Sequence, residues 1–375
     1  MGNKVSSSHR KYKSQDVFDA HGGGINAMEL NYNHKYLVTA SEDRTVRVWS
    51  TLTADLHLIL EGHEHYVSCI YLHGNYILTG SADSLIHKWN IDTGECVTTF
   101  VGHAALINEI ICWNDWIFST SYDSTIRCWH FIDGSCEFVL QGHTRSVDPI
   151  VIVPNIVIDS RSLDLLATRM LITGSADKTA KLWDLQAAQE VVTYQGHKAA
   201  IICLTVDHNN KYLYTGSSDA TLRSWEIYTG QPISVFKGHV ASITCVKMIN
   251  NFLFTGSADH TTRCWLSNTG SCHKVYNGHS HKISCLDVDR NILFTGSADN
   301  TIRAYDIDSG RVIGILKGHL YAVKCLKAKL PYLDRLFKAF EIALGMFQIY
   351  NNTLYSASED GSIRSWNIRK LNCYR

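Results

Sequence analysis

Serine or threonine, histidine and aspartate recur together along this chain. In a hydrolase that trio supplies a nucleophile, the base that activates it and the group that orients the base. The histidines are His21, His63, His103, His143, His197, His239, His279 and His319, and each is followed by an aspartate: Asp43, Asp83, Asp123, Asp177, Asp219, Asp259, Asp299 and Asp360. Four residues before each aspartate stands Thr39, Thr79, Ser119, Thr173, Thr215, Thr255, Thr295 or Ser356. A catalytic set is needed once, whereas this one occurs eight times. A device that repeats with its module is structural, so no residue here is assigned a catalytic role. The pairs His63/His65 and His279/His281 have ligand-like spacing, but one histidine of each already belongs to the repeat, so no metal is expected. There is no C-x-x-C, no G-x-x-x-x-G-K-[ST] and no H-E-x-x-H, and no cofactor or small-molecule substrate is implied. Trp113 and Trp116 read as packing rather than as a base-stacking platform.

The elements that must position these residues are short strands. "GHEHYVSCIYLHGNYILTGSADSLIHKWN" begins at Gly62, and the same unit recurs from Gly102, Gly142, Gly196, Gly238, Gly278 and Gly318, with an opening copy at Ala20-His21. Six residues after each aspartate stands Trp49, Trp89, Trp129, Trp183, Trp225, Trp265, Tyr305 or Trp366. Within a unit, alternating or apolar runs are separated by turn residues, as in "YILTGS", "LIHKW" and "NIDTG". Periodicity at this length marks a repeat architecture.

The Gly-His start and the Trp near the end of each unit resemble the WD40 repeat family, although Trp-Asp itself stands only at Trp183-Asp184. The resemblance covers the chain from residue 14 onward. It implies an all-β fold, a WD40-type β-propeller of four-stranded blades, and eight units favour eight blades over seven. It also implies that the outer strand of each blade precedes the next Gly-His. Only nine residues follow Trp366, so the last outer strand should come from the N-terminus. Phe18 stands three residues before His21, as Leu60, Phe100, Leu140, Tyr194, Phe236, Tyr276 and Leu316 stand before the later histidines. Residues 14–18 are therefore the expected closing strand.

The resemblance further assigns the repeated residues to a buried hydrogen-bonded chain, for example Trp89–Thr79–His63–Asp83 and Trp265–Thr255–His239–Asp259. Orphaning a partner in such a chain costs about 1–3 kcal/mol. Partners of this family often contact the residues three and five after the histidine and the one before the aspartate. Here these include Asn26, Glu42, Tyr66, Leu106, Asn108, Tyr122, Ser146, Asp148, Ile202, Lys282, Lys324 and Glu359.

Two units are long, with 34 residues from His143 to Asp177 and 41 from His319 to Asp360, against 20 or 22 elsewhere. The excess falls at residues 152–165 and 328–348. In the second, Leu333, Leu336, Phe337, Phe340, Leu344 and Phe347 recur at helical spacing. Excising it restores the usual spacing, so it is either an amphipathic insertion or extraneous to the repeat. Among twelve cysteines, Cys69, Cys203, Cys245, Cys285 and Cys325 share one repeat position, and Cys96, Cys136 and Cys272 another. All are read as small core residues rather than disulfide partners, in keeping with a reducing cytoplasm.

Residues 1–13 read as a flexible basic tail. "MGNKVS" matches the signal for myristoylation of Gly2, and Lys4, Arg10, Lys11 and Lys13 precede any acidic residue. A net charge of zero disfavours nucleic-acid binding, and no apolar run is long enough for a membrane span. These features predict a monomeric, non-enzymatic protein-interaction scaffold held at cytoplasmic, anionic membrane surfaces by its tail. The alternative is a substrate-receptor subunit of a ubiquitin ligase, since Trp366-Asn367-Ile368-Arg369 loosely resembles the W-D-x-R element of such receptors.

Overall fold

Apolar alternation bounded by turn residues builds eight separate antiparallel sheets in the computed structural model, which describes residues 11–19, 21–154, 169–328 and 353–371. Blade 1 runs Ile25–Leu30, Tyr36–Ser41, Val46–Ser50 and Leu56–Leu60 from the axis outward. The first strand of each blade packs beside that of the next, and Ile25–Leu30 packs beside Val323–Ala328 of blade 8, which closes the ring. The fold is an eight-bladed β-propeller.

Closure uses the N-terminus, as the repeat register predicts. Val17–Asp19 pairs antiparallel with Ser362–Asn367 as the outer strand of blade 8. Phe18 is buried and meets Trp49 edge-on at 5.6 Å, as Phe100 meets Trp129 at 5.8 Å within the covalently continuous part of the ring. Strand structure begins before residue 14. Lys11–Tyr12 adds a fifth, parallel strand outside Val312–Lys317 of blade 7. Gly314 makes room for it, because a Cβ there would lie 2.7 Å from Leu371 Cδ2 and 3.1 Å from Tyr12 Cε2. Both ends of the propeller thus seat against one side-chain-free spot.

Each blade turns on its aspartate. The following residue takes a left-handed conformation, as Ser84 does at φ 68° and Gly361 at 76°, and the Asp carboxylate receives the backbone N–H two residues on, such as Leu85 N–H at 2.9 Å. A bulge near the start of the inner strand recurs in every blade. The cores lie between adjacent sheets, each centred on a buried Trp or on Tyr305.

The strands reach into both long units. Ile152, Val153 and Pro154 pair with Leu171, Met170 and Arg169, and Ala328 pairs with Leu354. The beginnings of the ranges 152–165 and 328–348 therefore belong to blade strands. The remainder, including the helical pattern of Leu333 to Phe347, lies outside the described residues.

Candidate partner-binding face

The repeated polar chain forms in every blade. Histidine Nδ1 lies 2.7–2.9 Å from the aspartate in blades 1 to 7 and 3.2 Å in blade 8. Its Nε2 lies 2.7–2.9 Å from the Thr or Ser hydroxyl. In all blades but the seventh, that oxygen also accepts the Trp Nε1–H at 2.8–3.0 Å. Tyr305 of blade 7 instead donates its hydroxyl to the Asn277 carbonyl at 3.3 Å. The geometry mimics a triad, but the chemistry is blocked. The hydroxyl oxygen is fully buried in every blade and, in all but the seventh, also engaged by the indole, so no substrate carbonyl reaches it.

Charge follows the same arrangement. Burial alone would raise the Asp259 carboxyl, but hydrogen bonds from Thr261 and His239 outweigh it and hold it at about 2. Asp83 is held at about 2 against its desolvation by bonds from His63 and Leu85. Burial also lowers His197, His239 and His319, against the pull of their aspartates. Both effects depress the folded-state value. The stability they contribute is complete above the ordinary histidine value of 6.5 and is lost as pH falls through the folded values towards about 2. The urea midpoint is therefore expected to fall continuously from pH 7 to pH 4. A flat profile over that range would contradict this assignment.

The loops entering the inner strands and those ending at the aspartates share one face, the upper. Tyr66 and Tyr122 are 41% and 65% exposed there, and Glu42, Asp148, Lys282 and Glu359 are also exposed. Leu106, Ser146, Ile202 and Lys324 are half-buried. Tyr66, Leu106 and Tyr122 form one arc. The Tyr66 carbonyl accepts Ala82 N–H, and the Leu106 carbonyl accepts Tyr122 N–H at 2.9 Å. Lys282 enters blade 7 and Lys324 lies on blade 8, where it pairs with Glu359 at 3.1 Å.

Two expected contact residues are committed elsewhere. Asn26 Nδ2 donates to the Val67 carbonyl at 3.0 Å, and Asn108 Nδ2 to Ser146 Oγ at 2.9 Å and to the Val147 carbonyl. Both staple one blade to the next, as Ser68 and Thr244 do at the same repeat position through the carbonyls of Ile107 and Ile283.

The channel wall holds groups that sequence reasoning missed. Lys247 pairs with Asp287, and Lys327 with Glu29 at 2.7 Å, the latter across the ring-closing seam. Glu109 stands where other blades carry cysteine, and burial followed by repulsion from Asp148 pushes its carboxyl up to about 8. Its Oε2 accepts Ile150 N–H at 3.1 Å. The signal was visible as the one acid in a column of Ala, Cys and Pro.

Cys69, Cys203, Cys245 and Cys285 pack under glycines, where a Cβ on Gly80, Gly216, Gly256 or Gly296 would meet Sγ at 2.6–2.7 Å. Cys96, Cys136 and Cys272 correct the core reading, for they are exposed at the first position of outer strands. Among the described residues no three His, Cys, Asp or Glu side chains converge as a metal site. Lys13 is exposed, only the backbone of Lys11 is described, and Gly2, Lys4 and Arg10 lie outside the described residues.

A family model for the WD domain, G-beta repeat, matches residues 12–50, 55–90, 94–130, 157–184, 188–226, 230–265 and 270–306. WD repeat-containing protein 86 of Homo sapiens is 46% identical over 48 residues, 13% of this chain and 13% of that protein. Coatomer subunit beta'-2 of Arabidopsis thaliana is 37% identical over 59 residues, 15% of this chain and 6% of that one. The matched stretches thus span only a small part of these relatives. The crystal structure of the computationally designed Ika8 protein superposes with a TM-score of 0.78 at 25% identity, covering 95% of this chain and 99% of that one. Seven stretches matched by the family model, which together cover more than half of the chain, place it in the WD40 repeat family.

Proposed function

We propose that this WD40 propeller is a non-enzymatic scaffold that engages a protein partner on its upper face and is tethered to cytoplasmic membrane surfaces by a myristoylated, basic N-terminal tail. The observation carrying the first half is the arc of exposed Tyr66 and Tyr122 around half-buried Leu106, with Asp148 on the next blade, since aromatic anchors next to a few polar groups are what interface hot spots use. The protein acts as a monomer in this reading and uses neither nucleic acid nor cofactor.

The tether reading rests on the sequence start, where the myristoylation signal at Gly2 is followed by Lys4, Arg10, Lys11 and Lys13. One myristoyl chain binds bilayers at only about 10⁴ M⁻¹. Four nearby basic residues at about 1 kcal/mol each add up to about three decades of affinity. In this reading the tail engages the membrane while the aromatic arc engages the partner.

Alkyne-myristate labelling with membrane fractionation tests the tether. Wild type is expected to carry the label and to sediment with membranes, and Gly2→Ala to lose the label and most of the sedimenting fraction. A protein that takes no label, or that stays on membranes after Gly2→Ala, would remove the lipid anchor from the proposal.

A further inference from the structure

The upper loop of blade 1 is bare. After the repeating histidine the other blades carry side chains, such as Glu64-His65-Tyr66 in blade 2 and Leu320-Tyr321-Ala322 in blade 8, whereas blade 1 carries Gly22-Gly23-Gly24. The fold requires only part of this. A Cβ on Gly23 would press on Asp43 N at 2.9 Å, and one on Gly24 would sit 3.2 Å from Glu42 Cδ and 3.3 Å from Glu359 Cα. Gly22 has neither a left-handed φ nor a close neighbour, since its nearest atom would be Asp43 Cβ at 4.0 Å. Neither backbone conformation nor packing explains a glycine there. A clear approach for another molecule does.

The rims of the notch are apolar. On blade 8, Leu320 and Tyr321 are 73% and 62% exposed, and on blade 2 Tyr66 occupies the position that Gly24 occupies in blade 1. The floor is acidic. Glu42 is exposed and has no ion-pair partner among the described residues, whereas neighbouring Glu359 is neutralised by Lys324.

From this we infer that the notch over blade 1 is the docking site for an extended peptide segment with a basic residue between apolar ones. The arginine or lysine lies over Gly22–Gly24 against Glu42, and its apolar neighbours cover Tyr321 and Tyr66. The complementary charge selects the central residue and the two rims its neighbours. The inference rests on the upper face being the partner face and names the partner's chemistry there.

The test is fluorescence anisotropy on the full chain with labelled heptapeptide pools of fixed central residue (arginine, lysine, glutamine or glutamate) and apolar-biased flanks. Arginine and lysine pools are expected to bind in preference to the other two. Glu42→Gln should weaken them about fivefold, the upper range for one exposed ion pair, and Gly22→Phe should abolish binding. Both variants sit at unstrained, open positions, and unchanged melting curves verify their folding. Lack of preference for a basic centre, absence of binding up to the solubility limit, or full binding by Gly22→Phe would overturn the inference. If Tyr122→Ala weakens binding and the two blade 1 variants do not, the upper face remains the partner face and the notch is excluded. If none of the three matters, both readings fall.

Discussion

Replacing Phe18 by alanine is expected to lower the unfolding free energy by about 3–5 kcal/mol, as for other large-to-small changes at buried aromatics, and to release the first strand before the rest of the ring unfolds. Phe18 and Phe100 fill the same niche, edge-on to Trp49 and Trp129. They differ in how their strands are held. Cys96–Phe100 is joined covalently on both sides to its blades, whereas Val17–Asp19 meets blade 8 through three register pairs and is otherwise held by Tyr12 and flanking bonds such as Gln15 N–H to the Ser365 carbonyl. Phe18→Ala should therefore give rapid tryptic cleavage after Lys13 under native conditions. Phe100→Ala should cost similar stability without exposing that site. Equal protection of Lys13 in both variants would show that the closing strand does not depend on its aromatic anchor.

The seam was legible because its information lies in register. Eight histidines fix the phase of the repeat, and Phe18 falls in phase with Leu60 and Phe100. Lys11–Tyr12 carries no such phase. Two residues show no periodicity, and what places them is the absence of a side chain at Gly314, some three hundred residues away. The exposed thiols of Cys96, Cys136 and Cys272 were misread for a related reason. Shared repeat position says that they are equivalent, but not on which side of an outermost strand they lie, and that strand has protein on one side only. Asn26 and Asn108 show the reverse limit. Their position lies on the partner face, yet the bulge brings their amides to the next blade's carbonyl, and a buried or half-buried polar group takes the nearest acceptor. Sequence phase locates a residue on the fold, and the competition among neighbouring donors and acceptors decides its use.

That competition is most one-sided at the aspartates, so Asp259→Ala is expected to be the most damaging single polar change in its blade. The carboxylate accepts from His239 Nδ1–H at 2.7 Å, from the Thr261 hydroxyl at 2.6 Å, and from the N–H groups of Val240 at 3.1 Å and Thr261 at 2.9 Å. Alanine removes four acceptor contacts, and the His239 side chain is wholly buried. The expected cost is about 3 kcal/mol, the upper end for orphaning a buried polar group, because several donors lose their one acceptor together. His239→Phe in the Asp259→Ala background tests the origin of that cost. If the loss comes from stranding His239, the double variant recovers part of it, because the orphaned imidazole is gone. If it comes from the turn, where Asp259 holds Thr261 and leaves His260 at φ 71°, the double variant is no better than the single one. Full stability of Asp259→Ala in urea would refute the chain as a structural device and reopen the question of why it occurs in every blade.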